Sequence, residues 1–152
     1  MVFKNEAQLR AFILKKSQSA VVAAEEKVHR TIDECLNQFY DEFDPEEYIR
    51  TSQLLHSLVR SGIKSTGNGY EAEVYFDVDA LNYAIGVVPT RSGTGYATWS
   101  GEKVLDVAMT SAVPHGGYAS GTAIWSVSMA KLGDIKALLV QELRNQGVPI
   151  VG

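Results

Sequence analysis

Over the first 43 residues apolar side chains recur at spacings near three and four: Leu9, Ile13, Val21, Ala24, Val28, Ile32, Cys35, Phe39 and Phe43. That period lays them along one stripe of an α-helix. All 13 glycines lie at Gly62 or later and the first proline is Pro45, so no strong breaker interrupts the segment. Asn5 is placed to cap its first turn. A polar gap at Ser17 to Ser19 leaves two readings, one long helix or two helices broken near Ser17 and packed on each other. A single helix of roughly 38 residues would run about 57 Å. That exceeds the diameter of a compact domain this size, so part of it is expected to project beyond its own core.

Beyond the stripe, Asp44-Pro45-Glu46-Glu47 reads as a helix start, with Asp44 as N-cap, Pro45 at the first helical position and Glu47 completing a capping box. The long helix is thus expected to end near Phe43, and a short one to follow. Residues 48 to 64 read as a structural hinge from which Leu55, Val59 and Ile63 enter a sheet. "STGNG" then marks a turn. "YEAEVYFDV" alternates cleanly, with Ala72, Val74, Phe76 and Val78 on one face and Glu71, Glu73, Tyr75 and Asp77 on the other. Residues 81 to 88 suggest a third strand and 121 to 128 a fourth. Between them, 89 to 120 reads as a Gly-rich inserted loop holding one short helix near Glu102 to Met109. The last segment is a helix with Ile135, Leu138, Leu139 and Leu143 inward, capped by Asp134, with Gly147 at its end and Pro149 beyond. The expected fold is α+β in one domain, residues 1 to 152: long helix, short helix, an antiparallel sheet of about four strands with a long insertion, and a C-terminal helix packed on the sheet.

Composition narrows the function. The 152 residues carry a net charge of −4, which disfavours a broad DNA-gripping face. Cys35 is the sole cysteine, so no intrachain disulfide forms and a thiolate-rich zinc site is excluded. No stretch has the apolar length of a membrane span, and the N-terminus lacks a signal-peptide pattern. Seven carboxylates, Asp33, Glu34, Asp41, Glu42, Asp44, Glu46 and Glu47, fall between Thr31 and Ile49 with no Lys or Arg among them. Their spacing fits no Ca²⁺ loop, and a solvated face is the simpler reading. His29, His56 and His115 are too scattered for a metal pair. His115 has Ser111, Ser120 and Thr122 nearby, but no nucleophile elbow accompanies them. "SGTGY" and "HGGYASG" lack the lysine of a phosphate loop, and a mobile loop that orders against a neighbour is the better reading. Neither cofactor nor metal is expected.

The order of elements, together with "RTSQLLHS", "WSGEKVLDVA", "HGGY" and "GTAIW", resembles the minor structural proteins of long-tailed double-stranded DNA bacteriophages, the tail-component or head-to-tail joining (neck) family. In that family a "TG-x-L-x-x-S" segment leads into the first strand. Thr51, Leu54 and Ser57 stand in a comparable pattern, with Ser52 where the family often has Gly. The resemblance implies a non-enzymatic homo-oligomeric ring in the virion neck, made in the host cytoplasm. Its neighbours would be the head connector or portal side and the tail tube or terminator, with DNA passing through and not held. Tail terminator is the related alternative, and a small hydrolase using His115 the alternative of another class. A ring closes by heterologous contacts. Phe12 and Ile13 on the long helix, and Tyr96, Trp99, Tyr118 and Trp125 beyond it, are suitable contact material. The carboxylates Asp41 and Glu42, or Glu71, Glu73 and Asp77, are candidates for a conduit wall that repels phosphates. An outer solvated surface would suit the same side chains.

Overall fold

The computed structural model describes residues 2–42, 53–81, 86–90, 93–97, 100–110 and 124–150. Its first element is a single helix, α1 (Glu6–Glu42), 37 residues long. Asn5 caps it: the Asn5 Oδ1 accepts from the Gln8 N–H at 2.9 Å, while Gln8 Oε1 accepts from the Lys4 N–H at 3.0 Å. This reciprocal pair closely resembles a capping box. The helix runs through Ser17 to Ser19, which overturns the broken-helix reading. Serine there costs a few tenths of a kcal/mol and, unlike proline, removes no backbone donor. Ala20, Ile32, Cys35 and Leu36 are its buried apolar residues. No residue of α1 before Ala20 is fully buried.

The order α1, α2 (Gln53–His56), small antiparallel ladders and C-terminal helices makes the fold α+β, as expected. The strands do not form one sheet of four. Among the described residues they form three two-stranded ladders: β1 (Leu58–Arg60) with β4 (Val74–Phe76), β2 (Lys64–Ser65) with β3 (Tyr70–Glu71), and β5 (Gly86–Thr90) with β6 (Gly93–Ala97). The first two belong to the expected hairpin, and the exposure of Glu71, Glu73, Tyr75 and Asp77 against their half-buried neighbours matches the alternation.

Within that hairpin the register slips by one. Lys64 pairs with Glu71 and Ser65 with Tyr70, whereas the Ser61 N–H donates to Glu73 O at 2.9 Å and the Asp77 N–H to Ser57 O at 2.7 Å. Between Ser61 and Lys64 the first strand therefore carries one residue more than its partner. This is a β-bulge, and Gly62 sits in it with φ 67°. The slip changes which residues face inward. Leu54, Ser57 and Leu58 are buried, while Leu55, Val59 and Ile63, expected to carry the sheet, are half-buried.

Two further expectations are corrected. Residues 124 to 128 are not a strand but the start of helix α4 (Ile124–Leu132). Ile124 and Ser128, one helical turn apart, are buried, and Ser126, which would share their face in a strand, is exposed. The Gly-rich stretch is not a loop throughout: Gly93 to Ala97 is β6, paired antiparallel from Thr90↔Gly93 to Gly86↔Ala97. Pro89 fits because a two-stranded ladder has only edge strands. The short helix of this region is α3 (Gly101–Thr110), as expected. The Asp44 to Glu47 helix start lies outside the described residues.

The chain divides into two compact units, residues 1–29, 60–74 and 132–152 in one and 30–59 and 75–131 in the other. In the first, α5 (Ile135–Asn145) starts at Asp134, whose carboxylate accepts from the Lys136 N–H at 2.8 Å. It ends in a Schellman motif, with the Gly147 N–H on Arg144 O at 2.8 Å, the Val148 N–H on Leu143 O at 3.0 Å and Gly147 at φ 81°. Leu138 is buried as expected, but Ile135 is 44% exposed. In the second unit, Gly101 at the start of α3 rests on the 3₁₀ turn Asp79–Leu81. A Cβ on Gly101 would stand 2.6 Å from Val78 O and 2.9 Å from Leu81 Cβ.

Candidate functional site

The best-built polar cluster is one that the apolar pattern conceals. Glu25 falls on the buried stripe of α1, between Val21 and Val28, and its side chain is 2% exposed. Both of its oxygens are engaged: Oε2 accepts from Arg60 Nη2 at 3.0 Å, and Oε1 accepts from the Gly62 N–H at 3.0 Å. Glu26 adds a longer contact to Arg60 at 3.5 Å. Beside it, Ser61 Oγ accepts from the Glu73 N–H and donates to Gly62 O, each at 2.8 Å. The hydrogen bond to Glu25 raises the Arg60 pKa above its ordinary value. The arrangement ties α1 to the bulge. With both oxygens occupied, the carboxylate acts as a tether. An acid standing on an otherwise apolar stripe is the signal in the sequence that marks it.

The candidates for contact with other molecules lie on surfaces. Phe12 is half-buried, its ring centroid 5.1 Å from that of Phe3, with Lys16 Nζ 6.0 Å away. Ile13 is 39% and Leu9 40% exposed, one helical turn apart, and Val2 is 93% exposed. In the other unit Trp125 is half-exposed in the first turn of α4. Tyr96 lies in β6 opposite Val87. Trp99, Tyr118 and His115 lie outside the described residues.

The carboxylate candidates have mixed roles. Glu71 and Glu73 are exposed, but Lys64 pairs across the ladder with the first and comes within 3.5 Å of the second. The negative face of the hairpin is therefore partly neutralised. Asp77 Oδ1 accepts from the Asp79 N–H at 3.1 Å and the Ala80 N–H at 3.4 Å, so it starts the 3₁₀ turn whatever else it does. Asp41 is exposed near the end of α1, and Glu42 is the last residue of that helix. His29 is half-buried in α1 and His56 exposed at the end of α2. Among the described residues no three His, Cys, Asp or Glu side chains are grouped to hold a metal ion, and no helix is long and apolar enough to cross a membrane.

Comparison with family models, with curated proteins and with solved structures returned no match. The functional reading therefore rests on the residues and their placement.

Proposed function

We propose that the chain is a structural protein of a long-tailed bacteriophage virion, a neck or tail-completion subunit that forms a ring between head connector and tail tube. The observation that carries this reading is the exposed apolar surface at the start of the chain, where Val2 ahead of α1 and Leu9 and Ile13 on it present apolar area to water in the isolated chain. Apolar groups presented this way along a helix are material for a contact between subunits. The half-exposed Trp125 is a second anchor of the type that interfaces favour. The resemblance drawn from the sequence motifs, with the long helix, hairpin and C-terminal helix that the fold retains, supplies the virion setting, and DNA passes through the ring without being held.

Negative-stain electron microscopy of the purified protein tests the reading. Closed rings with a central opening wide enough for a duplex are expected, together with no retention of duplex DNA at low salt, where a basic binder is tightest. A monomer at every concentration, or tight low-salt DNA binding, overturns it.

A further inference from the structure

The two ends of α1 carry opposite charge. Residues 2 to 19 hold Lys4, Arg10, Lys15 and Lys16 against Glu6, whereas residues 31 to 42, the end of α1, hold four carboxylates, Asp33, Glu34, Asp41 and Glu42, and no cation. The last turn of α1 contains no basic residue, so its acids add to the negative pole of the helix dipole, an unfavourable placement that a cation from outside would relieve. Lys131 approaches this end, donating to Gln38 Oε1 at 3.3 Å. Among the described residues neither Glu34 nor Asp41 has an ion pair, and neither do Arg10, Lys15 and Lys16.

We infer that the basic, apolar face near the start of α1 docks on the acidic carboxyl-terminal half of α1 in a second copy of the chain. Leu9 and Ile13 form the apolar stripe of the docking face, and Arg10 and Lys16 flank it at helical spacing. On the receiving side Glu34 and Asp41 are both exposed and lie two turns apart on one face. The cations are separated along the axis by about 9 Å and the carboxylates by about 10 Å, so the pairs can engage together. Both segments belong to one helix, α1, so within one chain they could meet only if that helix broke. The contact goes beyond the ring reading and does not depend on a virion setting.

Sedimentation velocity on the full chain tests it. Self-association should weaken by about tenfold or more between roughly 50 mM and 500 mM salt, as screened charge pairs do. Arg10→Glu with Lys16→Glu should abolish it, as should Glu34→Lys with Asp41→Lys, each keeping the circular dichroism and cooperative melt of the parent. An equimolar mixture of the two double variants should associate again, which also shows that both are folded. Arg10→Gln with Lys16→Gln serves as a milder variant and should weaken association. Variants that assemble like the parent overturn the contact and leave the ring reading standing. Charge-dependent association into species other than rings supports the contact and overturns the ring. A chain that binds anionic vesicles through residues 2 to 19 but stays monomeric overturns the contact in favour of a membrane surface.

Discussion

Glu25 is a buried acid whose two oxygens each hold a different part of the hairpin, so removing it orphans the Gly62 N–H and leaves the Arg60 cation only its longer contact with Glu26. Glu25→Ala should lower the unfolding free energy by about 2–4 kcal/mol, nearer the lower end because Arg60 is partly exposed and regains water. Glu25→Gln keeps an acceptor and should cost less, and urea denaturation of both variants gives the ordering. The raised Arg60 pKa adds no pH dependence in the ordinary range. Stabilisation from a raised pKa is present in full below the unfolded value, which for a guanidinium lies far above neutrality, and is lost only as pH rises through the folded one, so this group leaves the urea midpoint flat between about pH 6 and 9. Gly101 makes a different demand. Its neighbour at the missing Cβ is the backbone oxygen of Val78, which cannot swing aside, so Gly101→Ala should destabilise by about 1–3 kcal/mol despite raising helix propensity. Equilibrium unfolding measures that directly.

Among the elements, the hairpin makes the sharpest distinction. Leu58 is buried and its neighbour Val59 half-buried, so Leu58→Asp should destabilise by several kcal/mol through an unpaired buried charge, and Val59→Asp by clearly less. Equal losses in chemical denaturation would show that the bulge does not set the facing of β1. The same contrast explains what could be read from the amino acids. Asn5, the helical period from Leu9 through Phe39, the Asp134 cap and the Gly147 terminus are local signals, and each element they announce is present. The bulge depends on which residues pair across a turn, so the reading placed Val59 inward instead of Leu58. Residues 124 to 128 are rich in β-formers, and only burial at the interval Ile124 to Ser128 reveals a helix. At the candidate site, the length of the helix pointed to an exposed stretch and to Ile13 on it, but the periodicity alone would equally place Leu9 in a core. Glu25 was legible only as an acid on an apolar stripe, with no hint that its partners lay 35 and 37 positions away.

For the molecule as a whole, the segment that makes the proposed contacts should be separable from the fold. Deleting residues 2 to 16 removes the Phe3–Phe12 pair and the 3.4 Å contact of Arg10 with Asn68, but no fully buried side chain. The shortened protein should therefore keep a cooperative thermal transition while losing self-association in light scattering. A broad, non-cooperative melt would mean that this stretch is part of a core. The bulge carries one more consequence, in time instead of energy. The Gly62 amide hydrogen is held by a carboxylate 37 positions back along the chain and not by the opposite strand. It therefore exchanges with deuterium when α1 and the bulge part, not when the hairpin frays. Its exchange rate is a clock for that parting, one that a single resolved glycine resonance in a nuclear magnetic resonance spectrum can read, with the amide of Thr66 in the turn as the fast-running reference.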